Sequence, residues 1–276
     1  MELTTHQPAA PIGDGVAEVI YFRGFQPDHR IERLVPTGHP SIICCFDGMA
    51  RHTFDEVSLE PVTTLRDVWL YGMHQHYLSI SAHPNSEMLV LRFATPGAMP
   101  FLHAPLSRFS NRIEPVETAL GGALRGFHQR LVQAQGAQAK FAVVDAWLAE
   151  RYREDLTPPS ALRQTVAALR SSPASALAEI AAAYPQSHKT LIDHFKRHVG
   201  LTPKLYHRLM RLHDVFRRLE AGVRLSWAEI ALECGYTDQS HFVREFRHFS
   251  GFTPAQFKAA GFDPDALNYF PLDRSR

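Results

Sequence analysis

The hydrophobic pattern of the first hundred residues is typical of short β-strands. Apolar or alternating runs occupy residues 16–22, 31–35, 41–46, 67–73, 77–82 and 87–93. Turn-forming pairs such as Pro27-Asp28, Asp47-Gly48 and Pro84-Asn85 lie between these runs. Because no long helical pattern separates them, we predict an antiparallel β-barrel or β-sandwich in this part of the chain.

From about Val116 the apolar positions recur at helical spacing. Residues 120–132 and 141–152 follow this period. A third helix is expected after Pro158-Pro159, since proline suits the first turn of a helix. The pattern therefore predicts linker helices over residues 116–172, ending at Ser171-Ser172-Pro173.

One segment occurs twice towards the end of the sequence. Residues 195–203 read FKRHVGLTP and residues 246–254 read FRHFSGFTP, an offset of 246 − 195 = 51 residues. Each copy closes an amphipathic helix that follows a turn and an earlier apolar helix, which is the plan of a helix-turn-helix. The second helix of this motif commonly enters the major groove of DNA, so the repeat indicates a DNA-binding part.

Local signals predict the ends of the two repeated helices. Ser187 is expected to cap the first helix, and Thr237 or Asp238 the second. Gly200 and Gly251 stand where helices commonly end in the left-handed conformation. The apolar spacing predicts that one stripe of each helix is buried, formed by Leu191, Phe195, Val199, Phe242, Phe246 and Phe249.

Together these patterns predict an α+β chain in three parts. Residues 1–115 are expected to form a β-rich domain for sensing or association, and residues 116–172 the linker helices. Residues 173–276 are expected to form an all-α domain of two helix-turn-helix units. A length of 276 residues suits two domains with separate cores.

The charge is unevenly distributed along the chain. The whole sequence carries a formal net charge of +1. Residues 171–258 contain 12 Lys and Arg against 8 Asp and Glu, so this part carries 12 − 8 = +4 and the remainder −3. A basic part joined to an acidic remainder suits a DNA-binding domain attached to a sensing domain.

Cysteine usage and the first residues bear on the compartment. Cys44 and Cys45 adjoin in a predicted strand and should point to opposite faces, while Cys234 lies far away, so we expect three reduced thiols. The start, MELTTHQPAAPIGDG, lacks the basic and apolar stretches of a signal peptide, and no apolar run approaches ~18 residues. We therefore expect a cytoplasmic protein.

The second repeated unit contains the ordered motif of a known family. In residues 228–257, AEIALECGYTDQSHFVREFRHFSGFTPAQF, the elements I-A, G-Y, F, F-R and G-F-T-P follow one another with matching gaps. The chain from about Ser175 to Phe257 resembles the DNA-binding domain of the AraC/XylS family of bacterial transcription regulators. The first unit departs from the pattern, because Pro185 replaces the usual turn glycine and Asp193 stands where arginine is common.

The resemblance implies a fold and a set of partners. It implies seven helices with two helix-turn-helix units, whose recognition helices enter successive major grooves of double-stranded DNA. Residues 1–115 are similar to the cupin-like sensory domains of some family members, which implies a small-molecule effector. A homodimer, and contact with RNA polymerase for an activator, are further partners that the resemblance implies.

Outward positions on the two recognition helices are the candidate DNA contacts. Glutamine can pair with adenine, arginine with guanine, and valine can touch a thymine methyl group. Asp193 would repel phosphate unless it accepts a hydrogen bond from a cytosine amino group, so the second unit should supply most of the basic contacts. The predicted DNA-binding residues are His188, Lys189, Ile192, Asp193, Lys196, Gln239, Ser240, Val243, Arg244 and Arg247.

Other chemistry has weaker support in the sequence. His74 and His76 would share one face of a strand, and histidine is a common metal ligand, but Ile80 and Ser81 stand where a metal-binding cupin would place a glutamate. No nucleophile elbow, phosphate-binding loop or dinucleotide-binding motif occurs. We therefore expect no enzyme, no metal and no cofactor. The alternative is a small-molecule- or metal-binding barrel enzyme that carries a helical interaction domain.

Overall fold

The computed structural model describes residues 1–115, 120, 122–222, 226–259 and 269–273. Its strands are β1 Glu2–His6, β2 Val16–Phe25, β3 Ile31–Leu34, β4 Ser41–Cys45, β5 Arg51–Phe54, β6 Pro61–Leu65, β7 Val68–Tyr71, β8 Leu78–Ser81, β9 Ser86–Phe93, β10 Ile113–Pro115 and β11 Tyr269–Pro271. Its helices are α1 Met99–Leu102, α2 Gly122–Gln133, α3 Gly136–Arg151, α4 Ser160–Ser171, α5 Leu177–Ala182, α6 His188–His198, α7 Pro203–Glu220, α8 Trp227–Glu233, α9 Gln239–Ser250 and α10 Pro254–Ala259.

The described strands form two antiparallel sheets. The first sheet has the order β1-β2-β9-β4-β7-β10, and the second has the order β11-β3-β8-β5-β6. Cys45 and Trp69 of the first sheet pack with Leu65 of the second, so the two sheets face each other around a shared core. This two-sheet domain is called the barrel below. The predicted β-rich N-terminal part of an α+β chain is confirmed.

Two linker helices cover the outer face of the first sheet. Side chains alternate along β4, so Cys44 lies in the outer core while Cys45 points between the sheets, as predicted. The rings of Phe127 in α2 and Trp147 in α3 are 4.7 Å apart and belong to the same buried cluster as Leu89. None of the described helices is long and apolar enough to cross a membrane.

The strand pattern differs from the prediction in two respects. The strands β1, β5, β6, β10 and β11 lie where no strand was predicted, because they are short, partly polar or remote in sequence from their partners. The prediction that His74 and His76 share a strand face is wrong. Since β7 ends at Tyr71 and β8 begins at Leu78, both histidines lie in the connection between these strands.

The C-terminal helices enclose a second core. Leu162, Val166 and Leu169 of α4 are buried in it together with Leu212 of α7 and Phe246 of α9. This helix, which was expected in the linker, thus packs with the C-terminal helices, and its end at Ser171 does not end the packed unit. The described part of that unit then comprises seven helices, α4 to α10.

Candidate nucleic-acid interface

The first recognition helix, α6, begins and ends as its sequence predicts. The Ser187 hydroxyl oxygen accepts a hydrogen bond from the Thr190 backbone N–H at 3.1 Å. This contact satisfies one of the free N–H groups of the first turn. Gly200, with a φ of +88°, follows the helix in the left-handed conformation. Leu191 and Phe195 are fully buried beneath the helix, so its opposite side is left to solvent.

The second recognition helix, α9, also begins at a capping side chain and ends at a glycine. Of the two predicted caps, Thr237 and Asp238, the structure has Asp238, whose Oδ1 accepts from the His241 backbone N–H at 2.7 Å. This hydrogen bond lowers the pKa of Asp238, so the cap stays ionised near neutral pH. Gly251 ends the helix with a φ of +73°, and its N–H donates to the Arg247 carbonyl at 2.8 Å.

An aromatic cluster fixes the orientation of α9. Phe242, Phe246 and Phe249 are all 0% exposed. The Phe246 ring centroid lies 5.2 Å from that of Phe257 and 6.0 Å from that of Phe216, in edge-on geometry. Such pairs add to the free energy of burial, and they define which side of the helix faces inward.

A buried ion-pair network locks α9 to the preceding long helix. Glu245 is 6% exposed, and its carboxylate accepts from Arg208 and, at 3.3 Å, from Arg211 of α7. The Arg211 guanidinium also donates to the Gly235 carbonyl at 3.0 Å and lies 4.7 Å from the Tyr236 ring centroid. These contacts join the turn, α7 and α9 into one unit, since a buried carboxylate requires its partners.

Glu245 is a positioning residue that was not predicted from the sequence. A signal was available, because Glu245 lies three residues after Phe242 and next to Phe246, on the inward side of the helical period. A carboxylate at such a position is expected to be buried and therefore to pair with a cationic side chain. The cation could not be named from sequence, since Arg208 and Arg211 lie on a different helix.

The outward faces of the two recognition helices are formed by equivalent positions of the repeat. The offset of 51 residues relates Lys189 to Ser240, Asp193 to Arg244 and Lys196 to Arg247. All six side chains are exposed. Each face thus presents three side chains at i, i+4 and i+7, the spacing of a single helix side.

Most of the predicted DNA-binding residues lie at the surface of α6 and α9. His188, Lys189, Asp193 and Lys196 are exposed on α6, and Gln239, Ser240, Arg244 and Arg247 are exposed on α9. Ile192 and Val243, which are equivalent in the repeat, are only half-exposed, and Val243 packs against the C-terminal core. Less of these two apolar side chains is available to a base than the sequence analysis assumed.

The two histidines of the β7–β8 connection have different environments. His74 is buried, with its ring 4.4 Å from the Tyr71 ring. His76 is exposed, and its ring lies 4.2 Å from that of His248 in α9. They are therefore not paired with each other, and His76 instead contacts the second helix-turn-helix unit.

Comparison with known proteins agrees with this architecture. Residues 180–260 match a family model described as a helix-turn-helix domain, and residues 4–115 match one described as a domain of unknown function (DUF6597). The HTH-type transcriptional activator RhaS of Escherichia fergusonii is 33% identical over 82 residues, covering 29% of this chain and 28% of that protein. RhaS of Pectobacterium carotovorum is 34% identical over 74 residues, covering 27% and 26%.

The double helix-turn-helix domain of this chain is of the AraC/XylS type. The chain spans about a quarter of the length of the curated relatives it matches. The similarity to these AraC/XylS relatives therefore concerns the DNA-binding domain.

Two solved structures align with part or most of the chain. ToxT from Vibrio cholerae aligns over 93% of this chain and 98% of its own, at 11% identity and a TM-score of 0.45. An AraC-type regulator from Chromobacterium violaceum aligns over 36% of this chain and 89% of its own, at 25% identity and a TM-score of 0.33. The family assignment rests on the sequence of the double helix-turn-helix domain and not on these alignments.

Proposed function

We propose that this protein is a sequence-specific DNA-binding transcription regulator. The observation that carries the proposal is the pair of recognition helices with equivalent outward faces, each fixed by its own cap, glycine stop and buried aromatic stripe. Two such helices on one rigid core can contact two major grooves of the same duplex. The candidate contacts are the exposed side chains of α6 and α9 named above.

The two faces should contribute unequally to binding. On α9 the outward face carries Arg244 and Arg247, whereas on α6 the equivalent positions are Asp193 and Lys196. Arginine can bind both phosphate and guanine, while an exposed aspartate repels the phosphate backbone. The second unit therefore supplies most of the attraction, and the first unit adds selectivity at the base that faces Asp193.

The N-terminal barrel receives the signal in this proposal. Its two sheets enclose a core that is separate from that of the helices, and antiparallel barrels can hold one small ligand. A small-molecule effector or a partner signal, a homodimer, and RNA polymerase for an activator are the further partners we propose. We infer no catalytic activity for the chain, since its family and its helical domain point to regulation.

Selection of bound duplexes from a random library, using the full chain, tests the proposed function. A selected duplex should bind more tightly than a scrambled one, and the logarithm of the association constant should fall linearly with the logarithm of salt concentration. For variants that remove a charge from a recognition helix, such as Arg244→Ala, the matched control is Arg66→Ala, because Arg66 is exposed on the barrel. Failure to enrich any sequence, or equal binding of selected and scrambled duplexes, would contradict sequence-specific recognition.

A further inference from the structure

We propose that strand β11 is an intramolecular clasp, which holds the barrel against the last turn of α9 and thereby lowers the affinity for DNA. This inference rests on the proposed DNA binding. The clasp comprises Tyr269–Asp273, that is, β11 and the two residues after it. It belongs in sequence to the helical part, yet it forms the edge strand of the second barrel sheet.

One side of the clasp is fixed to the barrel by backbone pairing. Tyr269 pairs with Leu34, Phe270 with Arg33 and Pro271 with Glu32 in antiparallel register. The Leu272 N–H donates to the Ile31 carbonyl at 2.9 Å. Pro271 has no N–H to donate, which suits an edge strand.

A carboxylate closes the end of this pairing. Asp273 Oδ1 accepts from the Arg30 N–H at 3.0 Å and from the Ile31 N–H at 2.9 Å. Hydrogen bonds to a charged acceptor are stronger than those between neutral groups. Asp273 itself is exposed, so its replacement can weaken the strand pairing without disturbing either core.

The other side of the clasp belongs to the DNA-binding domain. The Phe270 side chain is 3% exposed and is part of the C-terminal core. Its ring centroid lies 4.8 Å from that of Phe257, 5.9 Å from that of Phe252 and 6.4 Å from that of Phe216. A single short strand therefore has its backbone in the barrel and an aromatic anchor in the helical domain.

Beside the clasp, an arginine of the barrel is inserted between the two domains. The Arg33 guanidinium lies 4.2 Å from the Tyr77 ring centroid and 4.5 Å from the Phe252 ring centroid. A Cβ atom on Gly251, the residue that ends α9, would lie 2.6 Å from Arg33 Nη1. The barrel thus packs directly against the last turn of the second recognition helix.

The place of this contact on α9 gives it a consequence for DNA. His248 lies four residues after Arg244 and hence on the same side of the helix, and the barrel residue His76 lies against it. The major groove of DNA is about 12 Å wide, and an α-helix with its side chains is about as wide. The barrel segment that carries His76 therefore cannot enter the groove together with α9. While the clasp is closed, the last turn of α9 is kept from the groove.

The test measures, in variants of the full chain, both the affinity for DNA and whether β11 is paired with β3. Asp273→Ala removes the carboxylate that closes the pairing, and Arg33→Ala removes the inserted guanidinium from the barrel side. Asp14→Ala, at an exposed aspartate near the N-terminus, is the matched control. Hydrogen exchange of the Leu272 amide, which donates to the Ile31 carbonyl, reports whether the strand is paired. The double variant Phe270→Ala,Asp273→Ala is used if the single variant leaves this amide protected.

Release of the clasp should strengthen binding of a selected duplex by at least about fivefold, the lower end of typical coupling between two sites. Asp14→Ala should bind as the unsubstituted chain does. The clasp is excluded if released variants bind with unchanged or lower affinity, or if the Leu272 amide exchanges freely before any substitution. If neither the unsubstituted chain nor any variant binds DNA at low salt, the proposed function fails together with the clasp, which separates that case from the failure of the clasp alone.

Discussion

The Nε2 atom of His213 in α7 lies 2.9 Å from the backbone oxygen of Pro36 in the barrel. Because a carbonyl oxygen only accepts, the imidazole must donate, and it does so in its neutral form. The pKa of His213 is lowered to about 4, mainly by burial and in smaller part by the charges of Arg170 and Arg217, while the hydrogen bond to Pro36 acts in the opposite direction. The joint between the two domains therefore depends on a histidine that resists protonation.

The stability of the folded chain should fall as the pH falls below about 6.5. The folded pKa of His213 is depressed, so between pH 6.5 and pH 4 only the unfolded state binds the proton, and stability is present above this window and lost within it. From pH 6.5 to pH 5 the loss at this residue is roughly 2 kcal/mol. Urea denaturation at several pH values measures it.

The variant His213→Gln provides the control for this pH dependence, because glutamine keeps a donor but does not titrate. The variant should lose less stability than the unsubstituted chain over the same pH interval. Identical pH profiles would mean that other groups, such as His39 with a pKa lowered to about 3, account for the whole effect.

Phe246→Ala should lower the free energy of unfolding by about 3–5 kcal/mol, as truncation of a buried aromatic side chain commonly does. Phe246 is 0% exposed, and it contacts Phe216, Trp227, Phe242 and Phe257. Chemical denaturation measures the change, and Phe246→Leu should cost less. An unchanged melting temperature for Phe246→Ala would place this side chain outside the core.

Gly251→Ala should destabilise the chain more than Gly222→Ala does. Both glycines have a positive φ, +73° and +67°, so both variants incur the cost of about 1–2 kcal/mol for a left-handed residue with a Cβ. Only at Gly251 would that Cβ lie 2.6 Å from Arg33 and Tyr77, whereas nothing lies within 4 Å at Gly222. Equal losses of stability in thermal denaturation would mean that the barrel does not press on the end of α9.

Arg244→Ala should weaken binding to a selected duplex by about 1–3 kcal/mol and relax discrimination at one base pair, as expected for arginine bound to guanine. Titration against selected and scrambled duplexes measures both effects. A loss that is the same on both duplexes would identify Arg244 as a phosphate contact.

Lys196→Ala should instead weaken binding to all sequences alike and reduce the salt dependence by about one phosphate contact. The same titration, repeated at several salt concentrations, gives the slope. A change in base preference with an unchanged slope would contradict this assignment.

Asp193→Asn should raise the affinity for scrambled duplexes, since it removes a negative charge from the outward face of α6 while keeping the size of the side chain. A selected duplex with a cytosine opposite Asp193 should gain less, because the carboxylate accepts from the cytosine amino group. Lower affinity for both duplexes would contradict the repulsion.

Features that depend on neighbouring residues were predictable from the sequence. The caps at Ser187 and Asp238, the stop at Gly251 and the buried stripe of α9 each arise within one or two helical turns. The core strands β2, β4 and β9 were found for the same reason, since alternation of apolar residues is a property of the strand itself. The repeat also relates the two outward faces, since the offset of 51 residues is a property of the sequence.

Only the tertiary structure decided which elements lie together. Pairing of β11 with β3 joins segments more than two hundred residues apart, and neither short strand carries a signal that names the other. The same holds for the packing of α4 in the C-terminal core, for the partners of Glu245, and for the contact of His76 with His248. These relationships depend on which surfaces meet when the chain folds, whereas local sequence determines only which surfaces exist to be buried.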